Sequence, residues 1–157
     1  MDDVNEYFHS FAAAFAGRLD HPDGNEIAFP DVLDRGALDL SLESLQRVDD
    51  YLLYLHEHRP ERLDQPWVCS VLWCGAYVGE VIRGAAPRRY DWVDYEPFVA
   101  AYPDTVNIVG ARDLSVTAFL TPGGGGFTLP INKVRKFLGN GPEDSVWFYA
   151  AAECRER

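Results

Sequence analysis

Glu80 is the one acid within the apolar run from Trp67 to Ile82, and a carboxylate among apolar neighbours must be paired or take up a proton. A carboxyl whose pKa is raised in this way suits general acid or base work near neutrality. At helical spacing Glu80 shares an angular sector with Cys69, Trp73, Ala76 and Arg83, so the competing account is structural, with Arg83 or a neighbour's Tyr or Trp as its partner. Asp49 poses the same question at the edge of the stripe made by Leu45, Val48 and Leu52. If the two helices pack together, Asp49 and Glu80 form either a catalytic pair for hydrolysis or proton transfer, or a structural network bridged by Arg83 or Arg47.

The other reactive residue types fall at spacings that do not build a site. His56 and His58 are two apart on a helix, so their rings diverge by about 200 degrees and serve the helix C-terminus better than a shared metal. Cys69 and Cys74, five apart among apolar residues, lack the Cys-x-x-Cys spacing of zinc and redox sites and read as core. The glycines at 123 to 126 are followed by Phe127 and Thr128 rather than the Lys and Ser or Thr of a phosphate loop, so they read as a hairpin tip. No catalytic residue beyond the Asp49 and Glu80 alternative, no metal and no cofactor is expected.

Lys and Arg total 14 against 25 Asp and Glu, a formal charge of -11, which repels phosphate backbones and anionic lipid and attracts basic proteins. Tyr90, Trp92 and Tyr95, interleaved with Asp91, Asp94 and Glu96, make a candidate partner-binding patch of aromatic anchors among acids. The alternative is an ordinary edge strand whose inward residues are core.

These residues need a scaffold. Val4, Tyr7, Phe8, Phe11, Phe15 and Leu19 give the stripe of a helix over about 4–19, opened by Asp3 and Glu6 as a capping box. Residues 20 to 37 are turn-rich, with room for one short strand. Ser41 is placed to cap a second helix over about 42–58 that Pro60 stops, and Pro66 starts a third over about 66–83. The third is apolar all round, hence central, with Gly75 and Gly79 allowing close neighbours. Short β-like runs at Trp92–Tyr95, Val106–Val109, Leu114–Leu120 and Phe127–Leu129 predict a small antiparallel sheet over about 90–129. Pro130 to Gly139 predicts a further helix, and residues 145 to 152 lean to helix against strand. The expected fold class is α+β, one domain over 1–157. The apolar run is short of the ~20 residues that span a bilayer, and the first residues lack the basic and apolar pattern of a signal peptide, so a cytoplasmic chain is expected.

Three blocks, Leu38–Leu45, Gly75–Ile82 and Lys133–Gly141, resemble those of a family of small bacterial accessory domains that brings no established catalytic residues. The resemblance implies an immunity- or antitoxin-like protein. The functional expectation is therefore a non-catalytic binding protein that docks a basic protein through an acidic surface. The alternatives are the enzyme built on Asp49 and Glu80, and a structural subunit of a larger assembly; self-association stays open.

Overall fold

The computed structural model describes residues 3–19, 24–59 and 64–155. The fold is α+β, with N-terminal helices, a small antiparallel sheet and C-terminal helices in that order. Helix α1 (Val4–Phe15) starts where the Asp3 carboxylate accepts the Asn5 N–H at 2.9 Å. It ends short of the predicted Leu19 because Gly17 turns the chain with φ of 74°, a conformation that closes helices. Leu19 is left 48% exposed.

Between α1 and α2 (Leu45–His58) the described residues form two 3-10 turns, Pro30–Val32 and Arg35–Ala37, and no strand. The expected turn at residues 20–23 and the stop at Pro60 lie outside the described residues. Ser41 caps a turn just ahead of α2, its hydroxyl accepting the Ser44 N–H at 3.2 Å, so the helix proper begins three residues later than predicted. His58 Nδ1 donates to the Tyr54 carbonyl of its own last turn at 2.9 Å, while His56 Nδ1 donates to the Leu138 carbonyl at 2.7 Å. The two rings therefore serve different carbonyls.

Helix α3 (Gln65–Ala85) is the centre of the molecule, buried almost without interruption from Cys69 to Ile82. Its two glycines do what their spacing predicted. A Cβ at Gly75 would stand 2.6 Å from the Ile131 backbone, and one at Gly79 would stand 2.1 Å from the Trp92 ring. Against α3 lie α1, through Phe11 on Trp73 and Phe15 on Tyr77, and α6 (Pro130–Asn140), through Ile131.

The sheet has the order β1 (Asp91–Asp94), β2 (Ala118–Gly123), β3 (Gly126–Thr128), all antiparallel. In register, Asp91 faces Thr121 and Asp94 faces Ala118, and the glycine run forms the tip between β2 and β3. The predicted strand at Val106–Val109 is instead the short helix α5, preceded by a 3-10 turn at Pro103–Thr105 and ended by Gly110 at φ of 78°. Proline at the front and glycine behind outweigh the β-branched composition. Tyr95 likewise opens α4 (Tyr95–Ala101), with Pro97 in its first turn. Asp113 Oδ1 accepts from Ser115 and Val116 and holds Leu114–Val116 as a 3-10 turn, which delays β2 to Ala118. This excursion closes over its own apolar cluster of Tyr95, Phe98, Val116 and Phe119. The tail is helical as expected: α7 (Val146–Glu153), capped by the Ser145 hydroxyl on the Phe148 N–H at 3.1 Å. Among the described residues no helix is long and apolar enough to cross a membrane.

Candidate functional site

Glu80 is buried, with 4% of its side chain exposed, and donors converge on it from three elements. Arg83, one turn on in α3, donates to both carboxylate oxygens at 3.1 Å. Trp92 of β1 donates Nε1 to Oε2 at 3.0 Å, and His9 of α1 donates Nδ1 to Oε1 at 2.8 Å. The network continues outward. Arg83 Nε donates to the Tyr90 carbonyl at 3.0 Å, and Asn5 accepts the Trp92 N–H at 2.7 Å while donating to Asp91 at 3.0 Å. A carboxylate with its lone pairs so occupied fastens α1 and β1 to α3. The sequence pointed to Arg83 or a neighbour's Tyr or Trp as the partner, and the structure supplies both Arg83 and Trp92 together with His9, which sits 71 positions away on another helix and was not foreseen.

Asp49 is elsewhere in the network of the fold. Its carboxylate accepts the Ser145 hydroxyl at 2.5 Å and the Val146 N–H at 2.8 Å, capping α7. Burial raises its pKa, against the lowering effect of those hydrogen bonds. Among the described residues Asp49 and Glu80 share no hydrogen-bond partner, and Arg47 pairs instead with Asp50 at 3.6 Å.

The sign of the Asp49 shift fixes a pH dependence. With the folded pKa above the unfolded one, the native state binds the proton more tightly, so this residue's contribution to stability falls as pH rises through that window. Relative to the parent, Asp49→Asn is therefore expected to gain in melting temperature between pH 3.5 and pH 7, and a relative loss over that interval contradicts the assignment. Asp49→Ala, which removes the cap, is expected to cost about 1 kcal/mol, and more at pH 3.5 than at pH 7 by the same linkage.

The aromatic anchors expected at Tyr90, Trp92 and Tyr95 are corrected by the structure, since they are only 2%, 3% and 6% exposed. Trp92 stacks on Phe8 with centroids 4.2 Å apart, and the Tyr90 and Tyr95 hydroxyls donate to Glu153 and to the Gly110 carbonyl. Alternation at β1 turns Tyr90 and Trp92 into the main core, whereas Tyr95 opens α4 and packs into the second apolar cluster. Asp94 and Glu96 do face solvent, whereas Asp91 is half-buried and engaged by Asn5 and Arg89.

What lies beside Asp94 is a feature the strand pattern did not reveal. A hollow of about 590 Å³ opens between α1 and the start of the excursion, lined by Asp3, Glu6, Tyr7, Ser10, Asp94 and Arg112 among others. Tyr7, which the helical stripe assigned to the core, is 59% exposed and packs edge-on against Phe11. Three carboxylates thus face one guanidinium around an exposed aromatic ring. A second hollow of about 470 Å³ shares Asp3, Glu6 and Ser10 with the first and adds Asn5, His9, Arg83 and Arg89. A third, about 260 Å³, shares His9 with the second. It is walled by Ala12 and Ala13 of α1, by Ala16 at the cap of that helix, and by Leu38 and Leu40.

The thiols are not primed for chemistry. Burial raises the pKa of Cys74 well above the ordinary range, and raises Cys69 and Cys154 as well. Among the described residues no group of three or more His, Cys, Asp and Glu side chains is placed to hold a metal. Set beside known proteins, the chain matches no family model, no curated protein and no solved structure.

Proposed function

We propose that the protein is a non-catalytic binding domain that receives a basic protein segment in the acidic hollow between α1 and β1. The observation that carries this reading is Tyr7, an exposed ring in the wall of a hollow that it lines together with Asp3, Glu6, Asp94 and Arg112. A rigid aromatic with carboxylates around it suits a Lys or Arg side chain, whose charge meets the acids while its stem lies on the ring. The formal charge of -11 steers such a partner from a distance. The saturation of the buried Glu80 and the capping duty of the half-buried Asp49 supply a structural reason for both acids, which weighs for binding over catalysis. An immunity-like protein that blocks a basic toxin is one form this binding takes.

The test uses labelled octa-arginine and fluorescence anisotropy at low salt. Asp3→Asn, Glu6→Gln and Asp94→Asn combined are expected to weaken binding by about ten-fold, since three exposed charge pairs at 0.2–1 kcal/mol each sum to roughly that factor. Asparagine at position 3 still caps α1. A control triple at the exposed Asp31, Asp34 and Glu43 is expected to change affinity less than two-fold, by the same screening of exposed charges. Equal losses from the two triples refute the site.

A further inference from the structure

Independently of the binding reading, we infer that His9 accepts a phosphoryl group at Nε2, with Arg83 and Arg89 as the guanidiniums that receive its oxygens. Glu80, with 4% of its side chain exposed, takes the His9 Nδ1–H at 2.8 Å. A neutral imidazole has a single N–H and a single nitrogen lone pair, so this bond fixes the tautomer and leaves the lone pair on Nε2. The His9 side chain is 60% exposed, and among the described residues Nε2 has no hydrogen-bond partner. Glu80 cannot swing away from the ring, because Arg83 holds both its oxygens at 3.1 Å and Trp92 holds Oε2 at 3.0 Å. A ring backed in this way by a fixed carboxylate is an activated nucleophile, since the carboxylate offsets the positive charge that the imidazole takes on as it attacks.

The second hollow, which His9 lines, also holds unspent donors. Arg89 is 81% exposed and uses only Nε, on Asp91 at 3.1 Å, so both its Nη groups have no partner among the described residues. Arg83 Nη2 stands 3.9 Å from Asp91, beyond hydrogen-bond length. Planar guanidiniums match phosphoryl oxygens two at a time. Asp3 and Glu6 line the same hollow, but there two acids face two guanidiniums, whereas the first hollow has three acids to one. His56 and His58 lack this setting, because each gives Nδ1 to a backbone carbonyl rather than to a carboxylate. Gly141 also crowds His56 Nε2, which a Cβ there would approach to 3.1 Å. His58 is exposed and serves as the internal reference.

The donor class is the phosphoramidates. Nε2 attacks phosphorus as the P–N bond of the zwitterionic donor breaks; ammonia leaves with that electron pair, and the ring keeps its Nδ1 proton facing Glu80. The experiment incubates the full chain with potassium phosphoramidate, locates the product by fragmentation mass spectrometry and identifies the modified nitrogen by phosphorus NMR. His9 is expected to be phosphorylated at Nε2 about ten-fold or more faster than His58, the margin given by an oriented imidazole with guanidinium donors beside it. Arg89→Gln, a change on an exposed side chain, is expected to slow His9 by about five-fold and leave His58 unchanged. Arg88→Gln, outside the lining of the hollow, is expected to alter the His9 rate by less than about two-fold, as for other exposed charges. A His9 rate no higher than that of His58, a product on Nδ1, or an Arg89→Gln protein that reacts as fast as the parent overturns the assignment.

Discussion

Replacing Gly79 by alanine is expected to remove about 3 kcal/mol of stability, the upper range for forcing a methyl into a packed interior. The added carbon would meet the Trp92 ring at 2.1 Å. That ring has no slack, since Phe8 stacks on it at 4.2 Å and its Nε1 is bonded to Glu80 at 3.0 Å. Relief requires either moving β1 away from α3 or giving up the bond to a buried carboxylate. Gly84, on the same helix with nothing within 4 Å of its would-be Cβ, is the control. There alanine is expected to stabilise by about 0.5–1 kcal/mol through helix propensity alone. Denaturant midpoints at unchanged slope separate the two, and a Gly79→Ala protein as stable as the parent contradicts the packing described here.

The second large effect belongs to Glu80. Glu80→Ala is expected to cost about 3 kcal/mol or more, because it takes the carboxylate at 3.1 Å from the half-buried Arg83 guanidinium, leaving it Asp91 at 3.9 Å, and leaves the Trp92 indole N–H without its acceptor. Glu80→Gln keeps an acceptor and is expected to cost less, about 1–3 kcal/mol. His9→Ala removes a donor that is 60% exposed, and exposed pairs are worth about 1 kcal/mol or less. The order Ala above Gln at position 80, with His9 well below both, is the signature of a buried anchor. Unfolding free energies that rank His9→Ala highest refute it.

Much of this architecture was legible in the residues. The apolar stripe of α1, the all-round apolarity of α3 and its paired glycines each follow from periodicity and space, and the glycine run between β2 and β3 declares its turn. The errors cluster between Tyr95 and Val116. There short β-branched runs favour strand, but Pro97, Pro103, Asp113 and Gly110 impose helical turns, and local caps win where no neighbouring strand supplies hydrogen bonds. At the candidate site, composition picked out Glu80 and Arg83 because an acid in an apolar helix needs an explanation. His9 and Tyr7 escaped notice because their roles depend on which way α1 is rolled against α3 and β1. Tyr7 fits the helical stripe by spacing, yet Phe8 and Phe11 take the buried positions and Tyr7 stays at the margin. The inward turn of Tyr90 and Trp92 was one of two readings of an alternating strand, whereas Tyr95 turns inward as the first residue of α4, and the proposed aromatic anchor is Tyr7 on α1.

Glu80 with Arg83, Trp92 and His9 holds the inside of the fold together, while the proposed recognition is carried outside, by Tyr7 and the acids around it. Titrating folded Glu80→Gln protein with octa-arginine, well below its melting temperature, probes that division in one step. A dissociation constant within two-fold of the parent's is the result predicted, and a loss of ten-fold or more in a protein that is still folded contradicts it.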